Sequence, residues 1–341
     1  MKQPIASVII VNWNGGTIVL EAVQSVLAQS ISDKLEIILV DNGSSDGSDM
    51  MLENHFGNSL KIIRSPVNLG FAGGNNLGFK YAHGEYVLLL NNDAVAEPDW
   101  AEALIQMAGS SPDIGMCTSR ILCHDNRTII DNVGHLIFLD GLNRSRGHLT
   151  PDTRQFNQVE ETLFASGCAG LYRREPVIAF GGFDEDFFAY GDDADLGLKF
   201  RLAGYRCFYV PHAVVYHRQS ASTSRHSRQK LFWIERNRVW VMIKYFPPSL
   251  IIASPWHTVR RLWASWRATR RKTGLVGQLA ANHSLVSIAI TIVLAWFAAL
   301  WRLPRMLGKR RQFEKFRKIS VVEFKKLINR FGVSVHEMSF G

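Results

Sequence analysis

Glu36-Ile37-Ile38-Leu39-Val40-Asp41-Asn42-Gly43-Ser44-Ser45-Asp46-Gly47-Ser48 is an apolar run that stops abruptly in a polar, glycine-bearing tract. Such a run, too short for a stable helix and closed by turn residues, reads as a buried strand ending at Asp41. The pattern repeats on both sides. Ser7–Val11 is a strand candidate followed by a helix over Ile18–Ala28, with Val19, Val23, Val26 and Leu27 on one face. After the Asp41 tract come a short helix, a strand at Leu60–Ile63, the loop 68–76, one more helix and the apolar strand Tyr86–Leu90. Strand–helix alternation predicts a mostly parallel α/β sheet with helices on both faces. Ligands of such sheets bind beyond the carboxyl ends of the strands. The polar clusters 41–48, 68–76 and 91–93 fall there. Residues 110–180 are more irregular, with strand candidates near Ile114–Thr118 and Leu163–Ala169, and are the expected region for an acceptor pocket. Cys207–Val210 and Val214–His217 are the expected last strands.

The 341 residues suffice for one large domain with an appendage, or for two domains. The net charge of +9 conceals a split: residues 1–217 carry 15 Lys and Arg against 26 Asp and Glu, while residues 218–341 carry 24 against 4. An acidic front suits chemistry with a cation, and a basic back suits attraction to polyanions. The cysteines, Cys117, Cys123, Cys168 and Cys207, form no CxxC pair and no zinc-ligand spacing, and read as inert thiols in a reducing compartment. Asn12 and Asn14 interrupt the first apolar run, which reads as a strand rather than a secretory leader, so the catalytic part is expected in the cytoplasm.

Six carboxylates fall between Asp184 and Asp195, ahead of the helix signal of Leu196, Leu198 and Leu202, with Gly204 as its stop. Repulsion makes such a cluster costly unless a cation or a migrating proton uses it. Asp192 and Asp193 stand at the helix N-terminus, where the dipole favours an ionised carboxylate, as a general base requires. Asp41 fits two roles: an acceptor for a base or ribose, or part of an ordinary turn with Asp46 capping the next helix. Asp93 follows the buried run Val87–Leu90. It suits a Mg²⁺ or Mn²⁺ ion that draws its other ligands from water and phosphate, or equally a turn cap. His217 closes the last strand as a ligand or a structural histidine. No G-x-G-x-x-G dinucleotide spacing and no Walker A lysine motif is present, which argues against a dehydrogenase or P-loop NTPase.

Taken in order, Val11-Asn12-Trp13-Asn14, the Asp41 tract, Asn68-Leu69-Gly70-Phe71-Ala72-Gly73-Gly74-Asn75-Asn76, Leu89-Leu90-Asn91-Asn92-Asp93, Gly182-Phe183-Asp184-Glu185, Gly191-Asp192-Asp193-Ala194-Asp195 and His217 resemble inverting nucleotide-sugar glycosyltransferases of family 2, and within them the bacterial rhamnosyltransferase group. The resemblance covers about residues 5–245. It implies a GT-A (Rossmann-like) catalytic domain over 1–240, with a basic, membrane-associating helical region over 241–341. It also implies roles: Asp41 and Asn12 on the nucleotide, Asn68, Gly70, Asn75, Asn91 and Asn92 around the donor, Asp93 and His217 on the metal, and Asp193 as base with Asp192 beside it. The DxD motif here is Asn91-Asn92-Asp93, with one carboxylate, and the usual Glu-Asp pair is Asp192-Asp193. The expected donor is dTDP-L-rhamnose, with UDP-galactofuranose as the alternative. A non-catalytic nucleotide-sugar-binding scaffold is the alternative from another class.

Ser284–Trp301 is 18 residues without charge, the lower limit for a span. Arg267, Arg270, Arg271 and Lys272 precede it, and Arg302, Arg305, Lys309, Arg310 and Arg311 follow. Charge on both flanks gives no orientation, and helices lying in, or dipping into, the cytoplasmic leaflet of the plasma membrane are expected, with a true span as the alternative. An anionic membrane surface and a polyprenyl-linked saccharide of the bacterial envelope, as acceptor, are the expected partners. No nucleic-acid recognition motif accompanies the basic segment, and nothing in the sequence sets the oligomeric state.

Overall fold

The computed structural model describes residues 3–218, 227–269 and 283–340. Arg270, Arg271 and Lys272, part of the basic flank, lie outside the described residues. The chain divides into two compact units: one from the described residues of Met1–Gly134, Ser145–Arg201 and Tyr205–Thr223, the other from those of His135–Arg144, Leu202–Gly204 and Ser224–Gly341. The expected cut at 240 is not a structural boundary, because a helix runs across it from Arg228 to Tyr245.

The first unit is built on β1 (Ala6–Asn12), β2 (Leu35–Asp41), β3 (Lys61–Arg64), β4 (Tyr86–Leu90), β5 (Ala94–Ala96), β6 (Ile114–Cys123) and β7 (Ile130–Asn132). Past β8 (His135–Ile137) and β9 (Asn143–Ser145), which form a separate ribbon, it continues with β10 (Glu160–Thr162), β11 (Ala169–Arg173) and β12 (Arg206–His217). Its helices are α1 (Ile18–Leu27), α2 (Ser48–Phe56), α3 (Gly70–Phe79), α4 (Trp100–Gly109), α5 (Arg174–Ala179) and α6 (Asp192–Leu202). The sheet runs β10-β12-β6-β11-β4-β1-β2-β3, with β5 on β12 and β7 on β6. β3, β2, β1 and β4 are parallel, as the alternation predicts. Beyond β4 the sheet is mixed: β11 is antiparallel to both β4 and β6, while β12 is parallel to β6.

Strand alternation divides β1 between two layers. Val8 and Ile10 join the core made with Val19, Val23 and Val26 of α1 and Trp100 and Leu104 of α4. Ile9 and Val11 face α3, where Gly78 and Gly74 bring the helix backbone so close that an added Cβ would stand 2.6 Å from Ile9 Cγ2 and 2.7 Å from Val11 Cγ1. Close packing explains why 68–76, expected as a loop, is helical from Gly70 onward. The glycines are there for proximity to the sheet, and tertiary contact overrides their low helix propensity. Leu163–Ala169 is likewise not a strand: β10 ends at Thr162 and β11 begins at Ala169. Its apolar signal comes from packing, since Phe164 lies against Gly197 of α6. The two expected last strands are one, β12, with an irregularity between Val210 and Val214.

The second unit comprises the ribbon and α7 (Arg228–Tyr245), α8 (Pro248–Thr269), α9 (Leu285–Trp301), α10 (Leu303–Glu314), α11 (Val321–Arg330) and α12 (Val335–Phe340). Among the described residues no single helix is long and apolar enough to cross a membrane, and α9 and α10 meet at a bend of 58°. A buried quartet ties the ribbon to α7 and α8. Arg261 Nε donates to Asp140 Oδ2 at 2.7 Å and Nη2 to Glu235 Oε1 at 2.9 Å, and Arg238 Nε donates to Glu235 Oε2 at 2.7 Å. Burial raises the Glu235 pKa, but the two guanidinium groups outweigh it and bring it down to about 2. The stability this supplies is present above the ordinary value of 4.5 and is lost as pH falls toward 2. Glu235→Gln leaves two buried cations short of a partner, an expected cost of about 3–5 kcal/mol at neutral pH. In urea melts, the gap between variant and wild type should narrow as pH drops through that window.

Candidate active site

Each carboxyl end of β1, β2 and β4 delivers a polar side chain to one region. Asn12, buried at the end of β1, donates from Nδ2 to Ser48 Oγ at 2.8 Å and accepts from Asn92 Nδ2 at 3.1 Å. It therefore bridges the loops after β2 and β4. Asp41 is buried, and its Oδ2 accepts from the Ser44 N–H at 3.3 Å, but Oδ1 has no hydrogen-bond partner. Asp46 does the turn work instead, accepting from Ser48 N–H and Oγ and from Gly16 N–H. The structure thus separates the two roles that the sequence left open, and the oxygen Asp41 retains is one a ligand N–H or O–H could satisfy.

Asn42, overlooked in the sequence, joins β2 to α3. Its Nδ2 donates to Asn68 Oδ1 and to the Gly70 carbonyl, each at 3.1 Å, and its Oδ1 accepts from Leu69 N–H at 3.0 Å. Gly70, at φ +72°, opens α3 against the acidic loop: Phe188 O accepts from Phe71 N–H at 2.7 Å. Phe188 and Tyr190 both have φ +66°, a left-handed conformation that is strained for aromatic residues. Asn76 holds the same loop by donating to Phe183 O and accepting from Phe183 N–H, both at 2.9 Å. Asn75, by contrast, is buried and donates to Phe71 O within α3.

The acid cluster is mostly structural. Asp184 caps a short turn through Asp186 N–H, and Asp195 pairs with Lys199 at 3.1 Å. Asp192 and Asp193 open α6. Asp192 is buried, which pushes its carboxyl well above the usual range, and the adjacent Asp193 pushes it further. Asp193 is half-buried, and its Oδ1 accepts from Gly167 N–H at 2.8 Å. Next along the chain, Cys168 O accepts from Asn91 N–H at 2.8 Å. The start of α6 and the end of β4 are therefore held by consecutive residues.

Asp93 Oδ1 lies 3.2 Å from His217 Nε2, and His217 Nδ1 lies 2.7 Å from Asp131 Oδ2. His148 Nδ1 stands 3.2 Å from the other Asp131 oxygen. Asp131 and His148 are the residues that sequence reading missed, for Asp131 sits 86 positions from His217 and in no motif. Burial alone would lower the His217 pKa, but Cys168, Asp131 and Asp93 reverse it and hold it well above the ordinary value. Burial opposes ionisation of Asp131 too, yet its hydrogen bonds to His148 and His217 hold it far below the carboxylate range. Arg218, whose N–H donates to Asp93 O at 3.0 Å, keeps a buried Nη1 with no partner. Among the described residues no group of three or more His, Cys, Asp and Glu side chains is arranged to hold a metal ion. Asp93 and His217 offer two donor atoms on one side of the imidazole, with Asp131 behind it.

These strand ends and the aspartates that open α6 gather polar side chains at the carboxyl edge of an α/β sheet, and comparison with known proteins gives the family. Residues 7–181 match Glycosyl transferase family 2, and the chain belongs to that family. It is 29% identical over 230 residues to the uncharacterized protein y4gI of Sinorhizobium fredii, and 29% over 211 residues to the O-antigen biosynthesis protein RfbC of Myxococcus xanthus. These alignments take in 64% and 59% of this chain but only 25% and 16% of those longer relatives. The N-acetylglucosaminyl-diphospho-decaprenol L-rhamnosyltransferase of Mycobacterium tuberculosis is 26% identical over 252 residues, 65% of this chain and 81% of that one. Among solved structures, GalNAc-T7 with UDP, GalNAc and Mn²⁺ aligns with a TM-score of 0.60 at 18% identity, over 78% of this chain and 51% of that one. The mannosyltransferase PcManGT of Pyrobaculum calidifontis with GDP-Man and Mn²⁺ aligns with a TM-score of 0.53 at 19% identity, over 92% and 86%. At such identities the likeness is one of fold, and the fold is GT-A.

A Cβ at position 70 would stand 2.4 Å from Phe188 O, on a backbone that disfavours any side chain. Gly70→Ala should therefore destabilise the first unit by about 1–3 kcal/mol in urea melts. It should also raise the hydrogen-exchange rate of the Phe71 amide.

Proposed function

We propose that this chain is an inverting glycosyltransferase that moves L-rhamnose from dTDP-L-rhamnose to a polyprenyl-linked saccharide in bacterial envelope polysaccharide synthesis. The observation that carries the reaction is the junction at Gly167 and Cys168, which ties Asp193 and the end of β4 leading to Asp93 to one short segment. A base and a diphosphate-binding carboxylate held this way can act on opposite ends of one transfer. The rhamnosyl donor and lipid-linked acceptor are supported by the name of the mycobacterial relative, and the polysaccharide context by that of the Myxococcus relative.

In the transfer, an acceptor hydroxyl attacks the anomeric carbon in line with the departing diphosphate. Asp193 takes the hydroxyl proton as the new C–O bond forms. The old bond from the anomeric carbon to the diphosphate oxygen breaks, and the nucleoside diphosphate leaves with the electron pair. Burial, and after it the neighbouring Asp193, push the Asp192 carboxyl well above the usual range, which limits its repulsion of the base. Asp41 Oδ1 accepts from the base or ribose, and Arg218 Nη1 donates to the diphosphate.

Asp93, with His217 in its neutral form, would hold a Mg²⁺ or Mn²⁺ ion of the kind that takes its remaining ligands from phosphate and water. When bound there, the ion supplies positive charge to the leaving group. Asp131 acts through His217: a carboxylate on Nδ1 fixes the ring and directs Nε2 toward Asp93.

The test is a panel of dTDP-, UDP- and GDP-sugars with Mn²⁺ and a membrane lipid extract. Wild type should release a nucleoside diphosphate from dTDP-L-rhamnose, and Asp193→Asn should lower the rate about 10²–10⁴-fold with donor affinity unchanged. Turnover of UDP-galactofuranose instead would reassign the donor. Donor binding without transfer, indifferent to Asp193→Asn, would leave a scaffold. Separately, Asp131→Asn should weaken Mn²⁺-dependent dTDP binding by about 10–100-fold in calorimetry, while metal-free binding stays the same.

A further inference from the structure

Two helices of the second unit carry apolar side chains on their solvent faces. On α8, Ile252, Trp256, Val259, Trp263 and Trp266 recur at intervals of four and three, which places them along one side. All are exposed, Trp256 by 66% and Trp263 by 56%. The opposite side of α8 is committed inward, through Thr258 and Arg261 to Asp140. On α9, Val286, Ile290, Val293, Phe297 and Trp301 form a second stripe, with Phe297 exposed by 69% and Trp301 by 88%. Its other side packs on α7, where Ile288 and Ile292 meet Leu231, and Trp240 Nε1 donates to Ala299 O at 3.1 Å. Leu262 of α8 joins that same cluster.

Scattered exposed apolar residues need no explanation, but two continuous stripes rich in tryptophan do. Charge names what covers them. From Arg236 to Phe313 the sequence holds no Asp or Glu and fourteen Lys and Arg, of which Arg238, Lys244 and Arg261 are buried. Arg260 and Arg267 are exposed on α8, and the Arg267 guanidinium lies 4.0 Å from the Trp263 ring centroid. Arg302, Arg305 and Arg311 are exposed where α9 gives way to α10. Tryptophan with arginine beside it matches the boundary between acyl chains and anionic headgroups. No single described helix is long and apolar enough to cross a membrane; α9 and α10 reach that length only as a pair bent by 58°, and α9 packs one side on α7.

We propose that the exposed faces of α8 and α9 dock this chain in the plane of an anionic lipid surface, tryptophans inserted and arginines on the headgroups. This assignment does not depend on the identity of the donor sugar. It gives the proposed acceptor class a physical route to the enzyme, by confining both to one surface.

The experiment is co-sedimentation of the full chain with vesicles of phosphatidylcholine, or of phosphatidylcholine with phosphatidylglycerol, alongside tryptophan emission. Wild type should bind the anionic vesicles with a blue-shifted emission, bind the neutral ones at least about tenfold more weakly, and lose affinity with salt. The double variant Trp256→Ser/Trp263→Ser should lose at least about tenfold in affinity, as two buried tryptophans would supply that much. Arg260→Gln/Arg267→Gln should lose the preference for phosphatidylglycerol. Because these side chains are exposed, thermal melts of both variants should match wild type. Failure of wild type to bind either vesicle, or undiminished binding by the tryptophan variant, would overturn the proposal. So would a dimer in light scattering that the tryptophan variant dissolves, since a second copy would then cover the faces. Resistance to alkaline carbonate extraction from native membranes would replace in-plane docking with a span.

Discussion

The site depends on one antiparallel strand. β11 enters the sheet between β4 and β6, and the two residues before it set the geometry on either side. Cys168 O takes the Asn91 N–H, fixing the turn that presents Asp93, and Gly167 N–H takes Asp193 Oδ1, fixing the first turn of α6. Two neighbouring residues thereby anchor segments about 100 positions apart in sequence, one through a backbone carbonyl that accepts and one through a backbone N–H that donates. Backbone groups suit this task, since they carry no rotamer freedom of their own to lose.

The remaining contacts around the site share a logic in which asparagine amides hold loops and carboxylates are left for chemistry. Asn12 joins the loops after β2 and β4, Asn42 joins β2 to α3, and Asn76 joins α3 to the acidic loop. A neutral amide both donates and accepts, so it satisfies two loops at once without adding charge. The carboxylates near it are then governed by their own surroundings. Asp195 is matched by Lys199 and Asp131 by two imidazoles, while burial pushes the Asp192 carboxyl well above the usual range. The cluster that looked costly in sequence is thus resolved by a different means at each position.

Much of this was legible from residue order. The runs Ser7–Val11, Glu36–Val40 and Tyr86–Leu90 match β1, β2 and β4 within a residue at each end, because buried parallel strands leave continuous apolar signals bounded by turn residues. Asp41, Asn12, Asp93, Asp193 and His217 all lie where those strand ends and α6 converge. What could not be read were features whose cause is non-local. The helix at Gly70 forms because the sheet tolerates, and requires, a backbone without side chains at Gly74 and Gly78. Leu163 and Phe164 are both buried, Phe164 against Gly197 of α6, which imitates a strand. Asp131 has no local signature at all, since its role exists only through β7 pairing beside β6 and bringing it to His217.

The reaction proposed is a single displacement in which Asp193 serves as base and no covalent sugar–enzyme bond forms. The most direct measurement is proton NMR of the product made from the donor that turns over, read for anomeric configuration. An anomeric centre opposite to that of the donor is the result this geometry predicts. Retention of the donor configuration would contradict it, because two displacements, or attack from the leaving-group face, would then be required.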